Sequence, residues 1–144
     1  MIHLRNFVPS DITKVKDIVL DTSVHNNDSI EAWAIHNYNC GPAYTAVAGT
    51  EIVAVVGVRI VRTGIGHGWA GFTPYMKKNV KECLRCLLDG INILEDAYGL
   101  KKIRTLVCGG FTGGHILVRH LHFTRKRYIK ETDQFLYVRK AWDL

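Results

Sequence analysis

One stretch restricts the fold of this chain more than any other. Met76, Val80, Cys83, Leu84, Leu87, Leu88, Ile91, Leu94 and Tyr98 recur at helical spacing and keep one apolar face for more than five turns. A helix with a single apolar stripe must lay it on a sheet or on other helices. The flanking residues favour a sheet. Tyr44–Ala48 and Glu51–Val61 are extended runs joined at Gly49-Thr50, and Trp69–Phe72 reads as the third strand of a meander. After the helix, Ile103–Cys108 is almost wholly apolar in its second half, as a buried central strand is.

The rest of the chain completes the layers. Ile2–Phe7 alternates apolar and polar like a short strand, and Pro9-Ser10 stops it. Ser10 is a good N-cap, and Ile12, Val15, Ile18 and Val19 predict a helix to about Val24. Asp28 and Glu31 have capping-box spacing ahead of a second helix over Ile30–Tyr38, closed by Cys40-Gly41-Pro42. Pro74 suits the first turn of the long helix, Gly90 marks a close contact and Gly99 a C-cap. Thr112 or Gly113 opens a further helix through Leu121, and Tyr128–Lys130 and Gln134–Arg139 are extended. The order is β-α-α-β-β-β-α-β-α-β. That is an α/β chain with a mixed sheet (α+β), one domain over residues 1–144.

Composition narrows the function classes. With 47% apolar and 22% charged residues the chain is an ordinary globular one, not a disordered one. Ala43–Val61 is the nearest approach to a membrane span, but Glu51, Arg59 and the central Gly49-Thr50 make it a hairpin. Asp11 and Asp17 follow a mixed opening segment where a signal peptide would be apolar, so the expected compartment is the cytoplasm. Charge is asymmetric. Residues 1–72 hold five basic and six acidic side chains; residues 73–144 hold fourteen and seven. The basic half, with Arg119, Arg125, Lys126, Arg127 and Lys130 at its centre, suits a phosphorylated cofactor, nucleic acid or a plain solvated surface. Cys40, Cys83, Cys86 and Cys108 read as reduced thiols. Cys83-x-x-Cys86 has zinc-like spacing, but it lies on the apolar face of the long helix and no second pair accompanies it, so core packing is expected and no metal. The Gly64-x-Gly66-x-Gly68 series reads as a hairpin turn, with a displaced phosphate loop as the alternative.

Three segments carry a family resemblance. Ile2-His3-Leu4-Arg5-Asn6-Phe7-Val8-Pro9-Ser10-Asp11 is similar to the strand, Arg, Pro, Asp, helix opening of the GNAT superfamily of acyl-CoA-dependent N-acyltransferases. The meander Tyr44–Phe72 feeding a long helix resembles the centre of that fold. Leu117-Val118-Arg119-His120-Leu121-His122-Phe123 resembles its late Leu-Tyr-x-Lys-x-Gly-Phe helix end. Within the superfamily the chain looks closest to small, divergent members encoded by tailed phages, with Trp69 and Thr73 as the shared residues. That would place it in host cytoplasm or a virion. The departures are specific. Where the family has a Gly-rich pyrophosphate loop, this chain has Phe72-Thr73-Pro74-Tyr75-Met76-Lys77-Lys78-Asn79. The family's general-acid Tyr falls on Val118, and its Gly of Gly-Phe on His122.

The resemblance implies acetyl transfer from acetyl-CoA to an amine, free or carried on a protein. It implies a strand split between Trp69–Phe72 and Ile103–Cys108 that receives the pantetheine arm. Ala70, Gly71 and Phe72 would supply backbone amides, Lys77 and Lys78 charge for the phosphates, Arg119 charge for the 3′-phosphate, and Cys108 or Tyr128 a proton for the leaving sulfur. His67 or His115 would act as base. The alternative is a catalytically inactive GNAT-fold phage protein with a structural or interaction role; nucleic acid and membrane rank below both as partners.

Overall fold

The computed structural model describes residues 1–15, 18–20 and 30–141, with the backbone alone described at 18–20, 30, 31 and 33. The strands are β1 (Ile2–Asn6), β2 (Ile18–Leu20), β3 (Ala43–Ala48), β4 (Glu51–Arg62), β5 (Ile65–Phe72), β6 (Lys102–Cys108), β7 (Thr124–Ile129) and β8 (Gln134–Lys140). The helices are α1 (Ile30–Asn39), α2 (Tyr75–Lys78), α3 (Val80–Tyr98) and α4 (Thr112–His120). The strands form one mixed sheet in the order β1-β3-β4-β5-β6-β8-β7, with β2 paired to β5 off that path. Among the described residues, only β5 and β6 run parallel, joined by the crossover through α2 and α3.

Four expectations need correction. The helix expected from Ser10 to Val24 is a 3-10 turn over Pro9–Lys14 followed by β2, with residues 21–24 outside the described residues. Ile18 and Val19 fit either period, and an available sheet edge decides for strand. The strand expected at Trp69 begins at Ile65, so Gly66 and Gly68 lie inside β5 and neither the hairpin turn nor a phosphate loop includes them. Gly66 is there for space: a Cβ on it would collide with Val58 Cγ1 of β4. The long helix breaks at Asn79, leaving α2 as a separate turn. Finally, β7 begins at Thr124; its exposed Thr-Arg-Lys-Arg opening lacks apolar alternation because it is an edge strand. The Asp28–Glu31 capping box lies outside the described residues.

The two faces of the sheet carry separate cores. Cys83, Leu87 and Leu94 of α3 and Leu117 and Val118 of α4 pack with Phe72, Ile103, Val107 and Tyr137 on one face. Phe7, Ile12, Val15 and Ala34 pack with Val55 and Trp69 on the other. Gly90 lets α3 approach β1, where a Cβ would stand 3.1 Å from Leu4 Cδ1. Burial pushes the Cys83 thiol up to about 11, which keeps it a protonated core group. No helix among the described residues is long and apolar enough to cross a membrane.

Two ion pairs fix the ends of these layers. Arg139 of β8 grips Glu95 of α3 through Nε (3.1 Å) and Nη2 (3.0 Å), and donates to Asn92 Oδ1 and the Leu121 carbonyl at 2.8 Å each. Both charges are buried, and the extra acceptors satisfy the guanidinium. Arg5 of β1 makes a bidentate pair with Asp11 (2.8 and 2.9 Å), which also accepts from Thr45 Oγ1 and the Val8 N–H. Burial alone would raise the Asp11 pKa; the hydrogen bonds from Arg5, Thr45 and Val8 outweigh it and hold the carboxyl below its ordinary range.

Two outcomes follow. His122 stands at φ 66° just past α4, where the resembled family has glycine. His122→Gly is expected to stabilise the fold by up to about 1 kcal/mol, read as a raised midpoint in urea. Because Asp11 is depressed in the folded state, its contribution is full above the ordinary carboxylate range and is lost as pH falls through its lowered pKa. The stability gap between wild type and Asp11→Asn should therefore narrow below about pH 4, as thermal melts across pH would record.

Candidate functional site

The sheet opens at its centre. β5 and β6 pair only at Ile65↔Lys102, Gly66↔Ile103 and His67↔Arg104. One residue further, the buried Thr105 hydroxyl donates to the Gly68 carbonyl at 3.0 Å, so a side chain bridges the first position the ladder leaves out. The outer flanks stay closed. β5 follows β4 to Phe72↔Ala54, and β6 follows β8 to Cys108↔Gln134. Thr73 then fastens the end of β5 to β4, its hydroxyl donating to the Ile52 and Val53 carbonyls at 3.0 and 3.1 Å. The divergence is therefore confined to the inner edges of β5 and β6.

Those inner edges are not bare. β2 pairs antiparallel with β5 at Ile18↔Phe72, Val19↔Gly71 and Leu20↔Ala70. The opposite edge of the same residues is taken by β4, so β2 lies on the β6 side, and it also contacts β6. Ala70, Gly71 and Phe72, expected to offer amides to a ligand, carry this chain's own strand instead.

A cleft of about 460 Å³ lies between α2–α3 and α4, with Phe72 at the end of β5 in its wall. Its walls are mostly apolar, with Met76, Val80, Leu84 and Phe111 among them, and Lys77 and His120 add the polar groups. Lys78 faces a different hollow, with Lys14 and Glu51. The two lysines expected to act together thus diverge. Arg119 is exposed on the last turn of α4 and does not line the cleft, although its neighbour His120 does. Where a glycine-rich loop would present free N–H groups, the chain folds on itself: Met76 N–H donates to the Thr73 carbonyl (3.2 Å) and Lys77 N–H to the Pro74 carbonyl (3.1 Å).

The expected proton carriers separate. His67 is buried on β5 at the last paired position before the split, on the same face as Trp69 by strand alternation. His115 stands on α4, against the opposite face. Its Nε2 meets the Cys108 carbonyl at 2.9 Å; carbonyls only accept, so Nε2 carries the proton. Its Nδ1 then accepts from Tyr137 Oη at 2.8 Å, and that oxygen accepts from Arg125 Nε and Nη2 at 3.2 Å each. Sequence reading misses this network because its members lie 22 and 12 residues apart. It ties α4 to the far strands and engages both ring nitrogens of His115. Tyr128 lies on the edge strand β7, where a 2.7 Å hydrogen bond to Asp133 raises its phenol pKa. Cys108 ends β6 at the open end of the split. Among the described residues no group of three or more His, Cys, Asp or Glu is arranged to hold a metal ion.

Sequence comparison finds no matching family model and no matching curated protein. Structural comparison finds many matches. The chain is similar to an acetyltransferase from Streptococcus agalactiae (TM-score 0.73, 13% identity, 97% of this chain and 98% of that one). It is similar to a Bacillus subtilis acetyltransferase solved in complex with CoA (0.71, 14%, 98% of each). It is also similar to an acetyltransferase of the GNAT family from Streptococcus pneumoniae (0.66, 16%, 98% and 100%). The chain has the fold of the GNAT acetyltransferases, as its element order implied.

The Thr105–Gly68 bridge is expected to set where the strands part. Thr105→Val keeps the volume but leaves the Gly68 carbonyl without that donor. Urea unfolding should report a loss of about 1 kcal/mol or more.

Proposed function

We propose that this chain is an acyl-CoA-dependent N-acetyltransferase that carries an acetyl group from acetyl-CoA to an amine. The observation that carries the reading is the parallel pair β5/β6, which parts after three residue pairs, with Phe72 at the end of β5 in the wall of the cleft. A pantetheine arm is a flexible chain with two amides. It suits a strand edge that offers N–H and C=O groups and a cleft with apolar walls. The fit is weaker at the phosphates. Lys77 and His120 line the cleft, and the Met76 and Lys77 amides of α2 are already engaged.

The chemistry requires an amine that has lost a proton, a donor for the developing oxyanion and a proton for the departing thiolate. In this reading the amine enters from the His67 face of the sheet. His67, at the last paired position, takes the amine proton, directly or through water. A backbone N–H of β5 past Gly68 receives the carbonyl oxygen as it gains charge. Cys108 is the candidate to return a proton to sulfur from the open end of the split, since Val118 has none to give and Tyr128 is held by Asp133. The C–S bond breaks as the C–N bond forms, and the products are the acetylated amine and the free thiol.

CoA added in excess should raise the melting temperature, as any ligand of the native state does. Lys77→Ala should weaken CoA binding about 2- to 5-fold in calorimetry, the worth of about 0.5–1 kcal/mol of exposed charge pairing, and raised salt should shrink that difference. Absence of binding at millimolar CoA would refute the reading.

A further inference from the structure

We infer that Ile18–Leu20 is a built-in strap that occupies the ligand's edge of β5 and must leave before a carrier's amide arm can enter. The inference rests on the CoA reading above and adds a conformational step to it. Three observations carry it. The edge of β5 that faces the split is one edge, and β4 already holds the other from Phe72 back to the hairpin. On that edge β2 pairs with Ala70, Gly71 and Phe72, so its backbone occupies the line along which an extended, amide-bearing ligand would pair. Finally, the described residues of β2 cover three residues of β5, and among the described residues β2 pairs with β5 off the path that joins β5 to β6.

A backbone edge accepts one partner at a time. A ligand that adds to it as a strand would compete with β2 for the same N–H and C=O groups. Its apparent affinity is then reduced by the fraction of molecules whose edge is free. The strap also explains how an opened sheet keeps its central backbone groups satisfied while empty, since groups buried without partners are rare. On this account the resting protein is closed and self-complementary. Binding exchanges one strand for another, without widening the sheet.

Leu20 stands opposite Ala70, whose backbone groups face the split, so proline at Leu20 removes an N–H on the paired side of β2 and disfavours the extended pairing. CoA titration of wild type and Leu20→Pro by calorimetry, with melting curves to verify that both are folded, tests the claim. The expected result is binding roughly tenfold tighter in the variant, as when the strap leaves the edge free about a tenth of the time. A second measurement needs no variant. Amide hydrogen exchange on the wild type should speed up across Ile18–Leu20 when CoA is added, while Ala70–Phe72 stays protected. Equal affinities, or an Ile18–Leu20 segment that stays protected with CoA bound, would overturn the strap and leave the binding reading intact. If neither protein binds CoA, the binding reading fails and the strap fails with it.

Discussion

A parallel strand pair that stops after three residues leaves backbone groups in the middle of a sheet, and each must find a partner. Much of the centre of this protein answers that demand. Thr105 supplies a hydroxyl at the first open position, Thr73 fixes β5 outward against β4, and β2 closes over Ala70–Phe72. The opening is thus a supported feature of the fold. The two cores pack on either face of the sheet, with α3 and α4 on one side and the 3-10 turn and α1 on the other.

The supports around the opening are polar and paired. Glu95 and Arg139 fasten the end of α3 to β8 beside the start of the parallel pair, and Arg5 and Asp11 fasten the 3-10 turn to β1 and β3. The Glu95–Arg139 pair is buried, and a buried pair adds little net stability over apolar packing but penalises any arrangement that separates it; the Arg5–Asp11 pair is half-exposed and held by further hydrogen bonds to Asp11. They hold the two layers in one register about the split. The His115–Tyr137–Arg125 chain does the same for α4, since it links that helix to β8 and β7. Both ring nitrogens of His115 are engaged in that chain, whereas His67 stands at the last paired position before the split.

The sequence was legible where apolar periodicity met a single answer. The hairpin at Gly49-Thr50, α1, the body of α3 with its Gly99 cap at φ 60°, and β6 lie close to where spacing put them. It misled where two periods fitted the same residues. Ile18, Val19 and Leu20 look helical after Ser10, and only the free edge of β5 makes them a strand. Gly66 and Gly68 look like a turn because the close approach of β4 and the neighbouring Ile103 of β6 cannot be read locally. The opening of the sheet was anticipated through family resemblance, and its occupant was not. Among site residues, Ala70–Phe72 and Lys77 lie along the split and its cleft, while Lys78, Arg119, His115 and Tyr128 are directed elsewhere.

The central claim is that the opening between β5 and β6 is a site for a thioester carrier. A titration of the isotopically labelled protein with CoA, followed through its backbone amide resonances, tests it most directly. The account predicts shifts concentrated at Ala70–Phe72, at α2 and along α4, with Ile18–Leu20 moving as well. Shifts confined to the basic edge strand Thr124–Ile129, with the centre of the sheet unmoved, would contradict it.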